Sequence, residues 1–127
     1  MKMPPLQIKI RSLKETFDEA EKAWRAIATG EKIESSRTLS FDTVDDFRSF
    51  FTEKRLELVR VVRHRNPSSV YGLAKMLKRD LKSVRTDLRM LTLMGIVSTR
   101  KRKANTPKGY KRIPSVDFDR MILEIAV

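Results

Sequence analysis

Apolar positions near the start of the chain predict a strand followed by a helix. Leu6, Ile8 and Ile10 alternate with polar residues in LQIKIRS, which is the period of a strand with one buried face. Between Phe17 and Ile27 the apolar spacing changes to three and four. This segment is therefore predicted to form an amphipathic helix of about four turns.

Local signals indicate where the first elements begin and end. Ser12 and Glu15 form the S-x-x-E pattern of a capping box, and Gly30 supplies a stop. SRTLSFDT predicts a second strand, after which Thr43 can cap a brief helix that carries Phe47. The beginning of the chain is thus predicted to be a strand-helix-strand extension with a short helix after it.

Three more helices are predicted between residues 52 and 95, each with a wide apolar side. Suitable N-terminal caps precede all three, namely Thr52, Ser68 or Ser69, and Asp80. Gly95 ends the third helix. The inward-facing positions of that helix are Leu81, Val84, Leu88 and Leu91.

The sequence after the third helix predicts three strands and a basic loop between the first two. IVSTRK reads as a strand, RKANTPKG as a basic turn-rich loop, and YKRIPSV as a returning strand. The apolar tail DFDRMILEIAV most resembles a final strand. Its expected partner is the strand around Ile8, either within one chain or across a dimer.

These elements predict an α+β protein built as a winged helix-turn-helix with an N-terminal strand-helix-strand extension. Residues 1–51 would form the extension, used for dimerisation or partner binding, and residues 52–116 the winged helix-turn-helix. Residues 117–127 would form a strand that packs on the N-terminal region.

The positive charge of the chain is concentrated in its central block. The net charge is +12, yet residues 1–51 are neutral, with 9 basic and 9 acidic side chains. Residues 52–116 hold 18 Lys and Arg against 4 Asp and Glu, a net charge of +14. This distribution indicates an anionic partner for the central block.

The third helix of that block has the design of a helix that reads DNA. An apolar side would fix it to the core, while a polar and basic side would reach base edges in the major groove. Arg85 is the best candidate for a base contact because its fork can bond guanine O6 and N7 together. The predicted DNA-contacting residues of this helix are Lys82, Ser83, Arg85, Thr86 and Arg89.

Two neighbouring segments are predicted to hold the phosphate backbone. The amino end of the second helix favours an anion, with Ser68, Ser69 and Tyr71 as candidate clamps. The basic loop would act as a wing along the backbone or in a minor groove. Its candidate residues are Arg100, Lys101, Arg102, Lys103 and Lys108.

Some residues have competing interpretations. Asp87, an acid on the proposed reading helix, is expected to pair with a neighbouring Arg or Lys and orient it, rather than to read a cytosine. Several aromatic residues are expected to be core or dimer interface rather than a platform for single strands. These are Phe17, Trp24, Phe47, Phe50 and Phe51.

Other classes of protein lack support in the sequence. There is no cysteine, no metal-ligand spacing, no Gly-rich phosphate loop and no nucleophile elbow, so neither an enzyme nor a metal or cofactor site is predicted. No apolar run is long enough to cross a bilayer and no signal peptide is recognisable, so no membrane association is expected and the expected location is the cytoplasm.

The segment FTEKRLELVRVVRHRNPSSVYGLAKMLKRDLKSVRTDLRMLTLMGIV resembles a family of small prokaryotic predicted transcriptional regulators related to MarR-type winged-helix proteins. The likeness covers about residues 39–97. It departs from the family at Gly72, where an acid or alanine is common, and in the longer and more basic wing. By matched position, the resemblance points to Ser69, Lys82, Ser83, Arg85, Thr86 and Asp87.

The resemblance implies sequence-specific binding of double-stranded DNA by a repressor, usually as a homodimer. Some members are paired in the genome with a toxin, which suggests an antitoxin-like autoregulator with a toxin partner. Two alternatives stay open. One is an RNA-binding or ribosome-associated module that uses the same basic face. The other is a toxin-neutralising interaction subunit whose basic surface is incidental.

Overall fold

The computed structural model describes residues 3–30 and 37–127. The chain has a mixed α+β fold, with five helices and two small sheets in the described part. In chain order the elements are β1 (Leu6–Ile10), α1 (Leu13–Ala28), β2 (Thr38–Phe41), α2 (Val44–Phe50), α3 (Glu53–Arg65), α4 (Val70–Leu77), α5 (Leu81–Leu93), β3 (Ser98–Lys103), β4 (Tyr110–Ser115) and β5 (Met121–Ile125).

The chain divides into two compact units. The first unit comprises residues 1–50 and 120–127, and the second comprises residues 51–119. The first contains all strands of one sheet together with α1 and α2, whereas the second contains α3, α4, α5 and the β3–β4 hairpin.

The first unit is built on a parallel sheet in the order β2-β1-β5. The sequence left open whether the C-terminal strand pairs within the chain, and in the structure β5 pairs with β1 of the same chain. Leu6, Ile8 and Ile10 are buried, as their alternation predicts. On the neighbouring edge strand, the Phe41 ring contacts Phe47 and Phe50 of α2, with ring centroids 5.8 and 5.9 Å apart.

The second unit has a core formed by its three helices and the ends of the hairpin. Each helix contributes a buried stripe, which comprises Leu58, Val59 and Val62 of α3, Leu73, Ala74 and Leu77 of α4, and Val84, Leu88 and Leu91 of α5. Ile96 and Val97, between α5 and β3, complete this core together with Phe51, Val116 and Phe118.

The structure narrows one expectation and corrects another. Phe17 and Trp24 were expected to be core or dimer interface; they are 64% and 72% exposed, which excludes the core and leaves the dimer interface as the remaining expectation. The wing residues from Arg100 to Lys103 were assigned to a basic loop that begins after the predicted strand IVSTRK, but all four lie in β3, because the chain remains paired with β4 up to Lys103. Only Lys108 of the predicted wing residues lies in the connecting turn.

Candidate nucleic-acid interface

α5 is held by a cap at its start and by a buried side along its length. The Asp80 carboxylate accepts a hydrogen bond from the Ser83 backbone N–H at 3.0 Å, as the sequence predicts. Val84, Leu88 and Leu91 are at most 6% exposed. Leu81, expected to face fully inward, is only half-buried, because it lies in the first turn at the edge of the core.

The opposite side of α5 carries the predicted DNA-contacting residues, and all of them are exposed. Two have hydroxyls already engaged: Thr86 donates to the Lys82 carbonyl at 3.0 Å, and Ser83 accepts from Arg79 at 2.7 Å. Within the described ranges, the side chains of Lys82, Arg85 and Arg89 make no hydrogen bond or ion pair with protein. These three cations are therefore available to an anionic ligand.

Asp87 forms a bridge between two arginines, which confirms the expectation that it pairs with neighbouring cations. Its Oδ1 accepts from Arg55 Nε at 3.1 Å and its Oδ2 accepts from Arg79 Nη2 at 2.6 Å. The three side chains are between 12% and 17% exposed. The bridge ties α5 to α3 and to the turn before α5, so it helps to set the orientation of the α5 helix.

The electrostatics of this bridge favour the ionised carboxylate. Burial by itself would raise the pKa of Asp87, but the hydrogen bonds and positive charges of Arg79 and Arg55 outweigh burial, so the pKa lies below its ordinary value. The negative charge that would repel phosphate is thereby neutralised inside the protein.

The start of α4 combines a cap with an exposed aromatic ring. Ser69, one of two predicted caps, accepts a hydrogen bond from the Gly72 N–H at 2.9 Å and is half-buried, while Ser68 is exposed. A Cβ at Gly72 would lie 3.2 Å from the Ser69 hydroxyl oxygen, so a larger residue would require the capping side chain to shift by a few tenths of an ångström. Tyr71 is 60% exposed, and Lys75 Nζ lies 4.7 Å from its ring centroid.

The β3–β4 hairpin places cations of one strand directly opposite cations of the other. Lys101 pairs with Arg112, and Arg102 with Lys111. Like charges in directly opposed positions destabilise an antiparallel pair. Sequence reasoning missed Lys111 and Arg112 as candidate contacts, although two basic residues directly after Tyr110 were a signal that could have identified them.

The hairpin turn is closed by local hydrogen bonds. Gly109 has a φ of 76° and donates its N–H to the Thr106 carbonyl at 2.8 Å, while the Thr106 hydroxyl donates to the Tyr110 carbonyl. Lys101 Nζ lies 4.6 Å from the Tyr110 ring centroid. Lys108, in this turn, is exposed.

The comparisons with known proteins identify a family. The model of the HVO_A0114 family matches residues 50–123, more than half of the chain. The chain belongs to the HVO_A0114 family. The region that matches the HVO_A0114 model includes the whole second unit and every residue of the candidate interface. No curated protein and no solved structure matches the chain.

The described part of this HVO_A0114 protein contains neither a membrane-spanning helix nor a metal-binding cluster. Across residues 3–30 and 37–127, no helix has both the length and the apolar character of a membrane span. Over the same ranges, histidine and acidic side chains form no cluster that could hold a metal ion.

Proposed function

We propose that this protein is a transcriptional regulator that binds double-stranded DNA in a sequence-specific manner through a winged helix-turn-helix formed by the second unit. In this proposal α4 and α5 are the helix-turn-helix, α5 reads the major groove, and β3–β4 is the wing. Repression, including antitoxin-like repression of its own promoter, is the regulatory mode that the resemblance to MarR-related proteins suggests.

The observation that carries the proposal is the composition of the two sides of α5. Val84, Leu88 and Leu91 are buried, whereas the available cations on the other side belong to Lys82, Arg85 and Arg89. A major groove about 12 Å wide admits one such helix. The Asp87 bridge favours a defined orientation, which base reading requires.

The hairpin supplies the electrostatic part of the proposal. β3 and β4 together contain six Lys and Arg and no acidic residue. Their opposed like charges repel in the free protein, and a phosphate backbone would relieve that repulsion. Lys111 and Arg112 accordingly join the predicted wing contacts.

The proposal is tested by separating base reading from backbone binding. Arg85→Ala should lower affinity for the operator far more than affinity for random DNA. The difference in binding free energy between the two DNAs should shrink by roughly 1 to 3 kcal/mol. Lys103→Ala should weaken all DNA alike and lower the salt slope by about one. Footprinting on the protein's own promoter supplies the operator, and affinities are measured by fluorescence anisotropy at several salt concentrations.

The control for this test is Arg48→Ala, which removes an exposed cation from α2 in the first unit and should leave both affinities unchanged. Structured RNA is included at matched salt. Equal losses for operator and random DNA in Arg85→Ala, or preferred binding of RNA, would contradict base reading by α5.

A further inference from the structure

The amphipathic helix α1 turns its apolar side away from its own sheet. Leu13, Phe17, Trp24 and Ile27 are between 61% and 72% exposed, and no side chain of α1, which is described in full, is buried. Helices between parallel strands normally bury their apolar side on the sheet. In this unit the polar side of α1 instead borders a pocket with β1, lined by Glu15, Asp18, Glu19 and Lys22 opposite Lys9 and Arg11.

The exposed apolar residues of α1 have the spacing of a coiled-coil seam. Successive separations of four, three, four and three residues join Leu13, Phe17, Ala20, Trp24 and Ile27. In the antiparallel register proposed below, Ile27 lies beyond the end of the partner helix. Covering Leu13, Phe17 and Trp24 together with the flanking Lys14 and Glu21 stems would remove roughly 500 Å² of surface per copy. Two copies then bury roughly 1,000 Å², which is the lower limit for a specific protein interface.

We propose that α1 pairs in antiparallel orientation with α1 of a second copy of this chain. Lys14 and Glu21 flank the same edge of the seam, and both are exposed. Glu21 Oε1 accepts a hydrogen bond from Arg25 Nη2 at 2.6 Å, so it is the second oxygen of this carboxylate that would meet the partner's Lys14. Antiparallel pairing brings Lys14 of each copy beside the partner's Glu21, forming two symmetric ion pairs. It also sets Phe17 against the partner's Ala20, so that a large side chain meets a small one.

A parallel pair fits these residues less well. It would place Trp24 against the Trp24 of the other copy and Ala20 against the Ala20 of the other copy. The Trp24 layer of the interface would then be overpacked, and the Ala20 layer would contain a cavity. Lys14 and Glu21 would then face the uncharged Thr16 and Ala23 edge of the other copy. Either arrangement is closed by a two-fold axis, which ends assembly at a dimer, so packing and charge are what favour the antiparallel pair.

Oligomeric state tests the pairing directly and does not depend on DNA binding. The wild-type protein should sediment as a dimer, and Trp24→Asp and Phe17→Asp should each raise the dimer dissociation constant by roughly 30-fold or more. Leu93→Asp is the matched control, because Leu93 is 74% exposed but lies on α5. Circular dichroism checks that each variant retains its helices.

Cysteine cross-linking tests the orientation, since the natural chain has no cysteine. At about 1.5 Å per residue, antiparallel pairing brings the two Ala20 positions within about 5 Å along the axis but separates the two Leu13 positions by about 16 Å. Ala20→Cys should therefore form a disulfide-linked dimer on oxidation, whereas Leu13→Cys and Ile27→Cys should not. A parallel pair would cross-link all three variants.

Charge reversal tests the proposed ion pair. Lys14→Glu alone should weaken the dimer, and the double variant Lys14→Glu with Glu21→Lys should restore it. A monomeric wild-type protein at 100 µM, an unchanged dimer in Trp24→Asp, cross-linking of Leu13→Cys, or no rescue in the double variant would each overturn the antiparallel α1 pairing.

Discussion

Asp87 is an acid within a helix whose exposed side is basic, and its surroundings explain its presence. Its carboxylate bonds one arginine before α5 and one on α3. An exposed acid at this position would repel phosphate, whereas a neutralised one aligns the helix. In the proposed mode of DNA binding, Asp87 therefore acts by positioning α5 rather than by contacting the ligand.

We predict that Asp87→Asn lowers the free energy of unfolding by about 2 to 4 kcal/mol, because Arg55 and Arg79 would be left largely buried without their counter-charge. Urea denaturation followed by circular dichroism measures the change. Asp45→Asn, which alters an exposed carboxylate on α2, is the control and should change stability little. An equally small effect of both substitutions would contradict a stabilising role for the bridge.

The same residue predicts how stability depends on pH. The pKa of Asp87 is lowered in the folded state, so its contribution is complete above its unfolded pKa of about 3.9 and is lost as the pH falls through the lower, folded value. The difference in stability between wild type and Asp87→Asn should be constant near neutral pH and should shrink below about pH 4. A stability difference between wild type and Asp87→Asn that increased as the pH fell would contradict a lowered pKa of Asp87 in the folded state.

If the β3–β4 hairpin is the wing proposed above, its opposed cations favour DNA binding at a cost in stability. Lys111 lies opposite Arg102, so Lys111→Glu replaces a repulsive pair with an attractive one. We predict that this substitution stabilises the protein by about 0.2 to 1 kcal/mol while it weakens DNA binding.

Thermal unfolding and DNA affinity are measured on the same Lys111→Glu preparation. Lys108→Glu, in the turn, makes the same change of charge without an opposed strand partner. It should weaken DNA binding with little effect on stability. If Lys111→Glu left DNA affinity unchanged, this strand would not belong to the interface.

α1 and α5 show how similar patterns can have different outcomes. Both are amphipathic and both begin with a capping side chain, Ser12 or Asp80. The apolar side of α5 is buried in the second unit, whereas that of α1 is exposed. Periodicity identifies the apolar side of a helix, but it does not identify which segment or partner buries that side.

In the molecule as a whole, charge and proposed roles are divided between two units. The excess of positive charge lies in residues 52–116, within the region matched by the HVO_A0114 model, while residues 1–51 are neutral. This division agrees with a second unit that binds an anion and a first unit that binds another copy of the chain.

A two-fold dimer predicts a two-fold operator. Two inverted half-sites should lie about one DNA turn, roughly 34 Å, apart. Hydroxyl-radical footprinting should show this symmetry, and insertion of half a turn between the half-sites should abolish tight binding. A single asymmetric protected site would contradict binding by a symmetric dimer.

Much of the secondary structure could be predicted because its signals are local. Ser12, Thr52, Ser69 and Asp80 each accept from a backbone N–H three residues ahead, so the sequence spacing already contains the contact. The positive φ of Gly95 after α5 is local in the same sense. Contacts between distant residues had no such signal, as with Arg55 and Asp87, 32 positions apart.

By itself, the sequence determined which segments are helices or strands, where the helices are capped, and where positive charge accumulates, since these depend on neighbours within a few positions. Only the tertiary structure decided that β5 joins β1 in a parallel sheet, that Lys111 and Arg112 oppose the cations of β3, and that the apolar side of α1 is left exposed. Each of these depends on which distant segments meet, and chain periodicity does not contain that information.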